Sequence, residues 1–105
     1  MITVQFLKKA DNYRGVSVSG HAGFADLGHD VACASVSSAL QTVVNLITEI
    51  YKIKADIKVE ENLVSLKVED LTSNDADLLL KGLLLQIKLI QEEFPCCIKI
   101  KYTEV

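Results

Sequence analysis

The sequence predicts an α/β (α+β) fold: a two-layer sandwich of a mixed β-sheet with two helices on one face, in the order β-β-α-β-β-α-β. Three observations carry this. Five short segments alternate apolar and polar residues, the period of a strand with one buried face. Two longer segments repeat apolar residues every three or four positions, the period of an amphipathic helix. Because every strand alternates, each has one wet face, so a sheet covered on both sides is disfavoured and the helices belong on a single side. The chain of 105 residues, 50% hydrophobic and 24% charged, has the size of one globular domain, 1–105, with no linker, repeat or low-complexity segment.

Taken in order, Ile2, Val4 and Phe6 mark the first strand over 2–7, and Asp11-Asn12 marks a turn. Tyr13 to Ser19 is the second strand, with Val16 and Val18 on one face. Residues 20–30 form a loop. Asp30 suits an N-cap, and a helix follows from about Val31 to Lys52. Val36, Leu40, Val43, Ile47 and Ile50 lie on its apolar side. Ile57 and Val59, then Val64, Leu66 and Val68, give two strands joined at Glu61-Asn62. Thr72 with Asp75 resembles a capping box, and Ser73 is a second candidate cap. The helix that follows runs to about Phe94, where Pro95 stops it. Ile98, Ile100 and Tyr102 mark the last strand.

Composition excludes several classes of function. A net charge of −3 disfavours a phosphate backbone as partner, so no direct nucleic-acid binding is expected. No contiguous apolar run reaches the roughly 20 residues that span a bilayer, and no signal peptide is read, so neither a membrane partner nor export is expected. Three cysteines without disulfide spacing, Cys96 and Cys97 being adjacent, fit a reducing cytoplasm.

Chemistry concentrates between Gly20 and Cys33. This stretch holds both histidines, three of the five glycines (Gly20, Gly23 and Gly28) and Phe24. With Asp30 as cap, Cys33 falls in the first helical turn, where free amides and the helix dipole favour a thiolate. It also sits at the edge of the stripe of Val36 and Leu40, so its sulfur is expected on the sheet side. His21 stands where the second strand ends, and a thiolate–imidazole pair is the minimal machinery of cysteine nucleophilic catalysis. Ser37, one turn beyond Cys33, shares its side. The glycines permit the hinge motion that a lid over a peptide needs. The sober alternative is that Cys33 is a small buried hydrophobe and His21 a satisfied strand-end residue. A metal site is a further alternative, because His21, His29, Asp30 and Cys33 are all donors. Their spacing matches no closed zinc pattern, and no metal or organic cofactor is expected.

The second helix carries one more signal. Its core stripe is Leu79, Leu80, Leu83, Leu84, Ile87 and Ile90, yet Leu78, Leu85 and Leu89 fall together on the far face beside Gly82. An apolar stripe where polar residues belong marks an interface, and a twofold contact pairs it with itself, so a homodimer is expected.

The two blocks Gly20-His21-Ala22-Gly23 and Gly28-x-Asp30-Val31-x-Cys33-Ala34-x-Val36-Ser37 resemble the signature of the ribosomal-processing cysteine protease family, Prp. Chain length and element order resemble that family along essentially the whole chain. The resemblance implies a small bacterial cytoplasmic endopeptidase, acting as a homodimer. Its implied partner is a basic ribosomal protein precursor, large-subunit protein L twenty-seven, from which it removes a short N-terminal extension. The family's catalytic pair carries over onto His21 and Cys33, its motif aspartate onto Asp30 and its motif serine onto Ser37. The chain departs from the family's usual valine and alanine at Ala32 and Ser35, both small changes outside the pair. A non-catalytic ribosome-assembly or peptide-binding module is the rival from another class.

Overall fold

The period-two pattern builds a five-stranded sheet whose buried apolar residues fall on one side. The structure, a computed structural model, describes residues 1–20, 27–72 and 74–105, with the backbone alone at 27–30. The strands are β1 (Ile2–Lys9), β2 (Asn12–Ser19), β3 (Ala55–Glu60), β4 (Leu63–Val68) and β5 (Ile98–Glu104). Their order in the sheet is β3-β4-β2-β1-β5, and β1–β5 is the single parallel pair. Direct partners share a face. One row across the sheet is therefore Ile100, Val4, Val18, Val64 and Val59, and the next is Tyr102, Phe6, Val16, Leu66 and Ile57. The opposite face presents Lys101, Gln5, Ser17, Ser65 and Lys58 in the corresponding row.

Helix α1 (Leu27–Asn45) and helix α2 (Asp75–Glu93) cover the apolar face, in the predicted element order β-β-α-β-β-α-β. Val36, Leu40, Val43 and Ile47 from the first helical segment and Leu80, Leu83, Leu84, Ile87 and Ile90 from α2 join Ile2, Val4, Phe6 and Val16 in one buried cluster. The 20 residues Val31–Ile50 have a mean hydropathy of 1.4, long and apolar enough by composition to cross a membrane. In the fold, the large apolar side chains of their central stripe are turned onto the sheet.

Several boundaries differ from the expected ones. The first turn is Ala10-Asp11, not Asp11-Asn12, because Ala10 takes a positive φ of 56° and lets Lys9 and Asn12 pair. Farther along this hairpin, Leu7 faces Gly15 but Lys8 faces Tyr13, so Arg14 is the extra residue of a β-bulge. The bulge returns Tyr13 to the inner face, where its ring meets Phe6 edge-on at 5.7 Å between centroids. Helix α1 begins at Leu27 rather than Val31. Aspartate is favoured within a first turn as well as at a cap, so Asp30 did not discriminate the two starts. After Asn45 the helix widens into a π turn over Leu46–Ile50, with the Tyr51 N–H bonded to the Leu46 carbonyl five residues back. The extra residue in that turn breaks the 3.6 period, and Ile50, expected on the apolar side, is 69% exposed. Lys52, at a φ of 54°, ends the segment.

The expected capping box of Thr72 with Asp75 is not the start of α2, whose N-cap position is Asn74. Thr72 instead turns back: its backbone N–H and its hydroxyl both donate to Asp70 Oδ1, at 3.0 and 2.6 Å. These bonds hold the exposed Asp70 carboxyl below the usual carboxylate range. Ser73 lies outside the described residues. At the other end Phe94 closes α2 and Pro95 follows, as expected.

One buried charge ties α2 to the bulged hairpin. Asp77 is 3% exposed, accepts the Tyr13 backbone N–H at 2.6 Å and pairs with Lys81 Nζ at 2.9 Å. Replacing Asp77 by alanine strands a buried amide and should cost about 2–3 kcal/mol. Lys81→Ala removes only a half-exposed i,i+4 partner and should cost about 0.5 kcal/mol or less. Urea unfolding of the two variants checks the asymmetry; equal losses would show that the ion pair, not the Tyr13 bond, holds the corner.

Candidate active site

The chain leaves the sheet at Gly20, and only glycine fits there. Its φ is 76°, and a Cβ at this position would stand 2.4 Å from the Met1 carbonyl oxygen. The Gly20 N–H donates to the Asn62 carbonyl at 3.2 Å, which fixes this exit against the β3–β4 turn. The stretch expected to carry the chemistry departs from this fixed point. His21, Gly23 and Phe24 lie outside the described residues. Gly28 and Asp30 are the second and fourth residues of α1, and their side chains are not described.

Cys33 is the seventh residue of α1, in the second turn rather than the expected first. The pull of a helix dipole falls off within the first turn, so helix position alone contributes little to a thiolate here. An activating side chain is correspondingly more important. Cys33 is half-buried and packs against the core, as its place at the edge of the Val36–Leu40 stripe requires. At 3.6 residues per turn, Cys33, Ser37, Leu40 and Val44 share one flank of α1. That flank faces the β2–β4–β3 side of the sheet, where a groove of about 320 Å³ runs between α1 and Val64, Ile57 and Val59. Ser37 is exposed and lines this groove one turn from Cys33.

The groove was not read from the sequence, which treats Ile57 and Val59 as the covered face of an ordinary strand. They are 37% and 74% exposed, because α1 does not reach across β3. The available signal was composition: β3 has four polar or small residues among its six, the pattern of an edge strand.

The other cysteines stand apart. Cys96 and Cys97 occupy the turn between Pro95 and β5, and all three cysteines are reduced. Among the described residues no three His, Cys, Asp or Glu side chains converge on a metal-sized site. Of the four candidate donors only the side chain of Cys33 is described.

The leucine face of α2 is where the periodicity places it. Leu78, Leu85 and Leu89 are 61%, 64% and 59% exposed, and a Cβ on Gly82 would meet nothing within 4 Å. Leu78 and Gly82 border a second groove, of about 740 Å³, whose opposite wall is formed by small residues of α1, among them Ala34, Ser38 and Thr42.

Comparison with known proteins identifies this architecture. The family model described as cysteine protease Prp matches residues 1–99. The ribosomal processing cysteine protease Prp of Staphylococcus aureus is 30% identical over 105 residues, covering 97% of this chain and 99% of the relative. Two solved structures of the S. aureus essential ribosomal processing protease Prp superpose closely, and each match covers 98% of this chain and all of the other. One, in complex with a substrate peptide, has a TM-score of 0.90 at 27% identity. The other, in complex with a covalently linked product peptide, has a TM-score of 0.86 at 28% identity. A full-length match in sequence and in fold, around a cysteine on the sheet-facing flank of α1, places this chain in the Prp family of ribosomal-processing cysteine proteases.

Proposed function

We propose that this chain removes the short N-terminal extension of the basic ribosomal large-subunit protein L twenty-seven, in the cytoplasm, with Cys33 as nucleophile and His21 as its base. The observation that carries the proposal is the placement of Cys33: half-buried on the flank of α1 that opens to a peptide-sized groove, within a chain that matches ribosomal-processing proteases from end to end. The relative solved with a covalently linked product peptide supports covalent catalysis.

The chemistry follows from the residue types. His21 takes the proton of the Cys33 thiol, and the thiolate attacks the scissile carbonyl. Backbone amides near the Cys33 turn hold the developing oxyanion. The tetrahedral adduct collapses to a thioester as His21 protonates the leaving amine. Water activated by His21 then releases the carboxylate and regenerates the thiol. Since Cys33 stands beyond the reach of the first-turn dipole, the thiolate depends on the imidazolium. Asp30 and Ser37 are assigned supporting roles. Gly23 and Phe24 are assigned to the loop over the substrate, with Gly20 as its fixed root, whereas Gly28, expected in that loop, belongs to α1. No metal or cofactor enters any step.

The same proposal includes a twofold dimer through the outer face of α2. Its support is the exposed row Leu78, Leu85 and Leu89 beside the groove that Gly82 leaves open.

Incubation with the precursor ribosomal protein and sequencing of the new N-terminus tests the reaction directly. Cys33→Ala should lower the rate on the order of 10³-fold or more while the protein stays folded. His21→Ala should slow both cleavage and alkylation of Cys33 by iodoacetamide near neutral pH. EDTA should leave the rate unchanged. Equal alkylation of Cys33, Cys96 and Cys97, with no cleavage, would favour a peptide-binding module instead.

For the dimer, Leu78→Asp should shift the protein to monomer in sedimentation at tens of micromolar, a range in which about 6–7 kcal/mol of association is evident. Wild-type protein that is already monomeric there would remove this face from the proposal.

A further inference from the structure

We propose that the helix-free face of the sheet is a docking surface for an A-form RNA helix. This goes beyond the protease reading and does not depend on it. The net charge of −3 disfavours a phosphate partner for the chain as a whole, but that total averages over two unlike surfaces.

Strand register assigns the outer face residue by residue. Its rows are Lys99, Thr3, Ser19, Leu63 and Glu60, then Lys101, Gln5, Ser17, Ser65 and Lys58, then Thr103, Leu7, Gly15, Lys67 and Asp56. Lys9 follows Leu7 on the same side of β1 by alternation. The face therefore holds five lysines and two carboxylates, a net +3, and the rest of the chain carries −6. Both carboxylates are on the edge strand β3, so β2, β1 and β5 present Lys9, Lys99 and Lys101 here and no acid. All five lysines are exposed. Among the described residues the ion pairs are Lys54–Glu69 and Lys81–Asp77, and neither uses a lysine of this face.

The layout favours a nucleic acid over a protein. The middle of the face is short and polar, with half-buried Thr3, Gln5, Ser17, Ser19 and Ser65, and its apolar members Leu7 and Leu63 are half-buried too. Interface cores between proteins are rich in aromatic residues, methionine and arginine and poor in lysine and serine, the reverse of this surface. Interfaces with nucleic acid are polar and positively charged. The strand aromatics Phe6, Tyr13 and Tyr102 all lie on the helix-covered face, so the outer face offers no platform on which single-stranded bases could stack. A duplex needs none. Lys99 and Lys101 form one bank and Lys58 and Lys67 the other, three to four strand spacings away, or about 14–19 Å. A floor of hydroxyls between two cationic banks suits the wide, shallow minor groove of A-form RNA, with its 2′-hydroxyls flanked by phosphates. The helices, and Cys33 with them, lie on the other side of the sheet, so RNA held here leaves the catalytic layer open.

The test titrates a 20-base-pair RNA duplex of mixed sequence with the full-length protein, read by fluorescence anisotropy. Binding should have a Kd of about 10 µM or tighter at 50 mM salt and weaken about 40-fold by 200 mM, the loss for three neutralised phosphates. Lys99→Gln with Lys101→Gln should weaken binding about tenfold or more at 50 mM and flatten the salt dependence by about two phosphates. Lys58→Gln with Lys67→Gln reads the other bank independently and should weaken binding about threefold or more. Lys88→Glu, on exposed α2, changes the net charge as much as either pair and should leave the Kd within about twofold. Urea midpoints matching the wild type confirm that the variants are folded. Single-stranded RNA of the same length and polyglutamate should each bind at least about fivefold more weakly than the duplex. No binding at about 100 µM protein in 50 mM salt, affinity that both lysine pairs leave unchanged, an equal loss in Lys88→Glu, or binding of single strands or polyglutamate as tight as the duplex each overturns the proposal, and none of these outcomes touches the assignment of Cys33.

Discussion

The register of β2 against β1 decides which side of the sheet becomes the inside. With Val4 opposite Val18 and Phe6 opposite Val16, all four side chains meet the helices. A slip of one residue would turn Val16 and Val18 to water and bring Ser17 and Ser19 inward. Burial of each valine is worth about 1.5–3 kcal/mol, so the slip forfeits several kcal/mol from a fold of this size class, whose whole stability is about 5–15 kcal/mol. The neighbouring strands inherit the same choice, because β4 pairs with β2 and β5 with β1. The extra residue at Arg14 belongs to the same constraint: without it Tyr13 would face outward, and α2 would lose the backbone amide that Asp77 accepts.

This explains why the strands and the order of elements were legible in the sequence and the helix boundaries less so. A period of two is repeated across every strand and reinforced by each neighbour, so Ile2, Val4, Phe6, Val16, Val18, Leu66 and Val68 announce one face together. A helix end rests on one or two residues whose types fit several positions. Asp30 suits a cap and a first turn alike, and Thr72 found a partner in Asp70 rather than at the start of α2. The π turn at Leu46–Ile50 left no mark in the periodicity except Ile50, whose exposure shows the broken phase. Asp77 was hidden because nothing in a sequence says that a first-turn carboxylate will face an orphan amide of a distant hairpin.

The candidate site divides along the same line. Residue types in the two motif blocks pointed to a cysteine peptidase, and the family relation agrees with them. The physical argument for an activated thiol changes, however. With Cys33 in the second turn, helix position ceases to be the main source of acidity, and the weight moves to its side-chain neighbours. The groove beside Cys33 required three dimensions, because it exists only where α1 stops short of β3. A segmental pattern cannot report that one layer is narrower than the other.

The parallel pairing of β1 with β5 has a consequence for how the molecule comes into being. Ile2 donates its N–H to the Cys97 carbonyl, and the last strand lies along the first for its whole length. Pairing across nearly the entire chain is slow to close, and until it closes β1 is an open edge of the sheet. During synthesis β2 and α1 are available long before β5, yet β1, whose entry at Met1 lies against Gly20, stays half-paired until β5 has been made. The sheet therefore closes only once β5 has been made, and loss of β5 is felt at the far side of β1, beside Gly20.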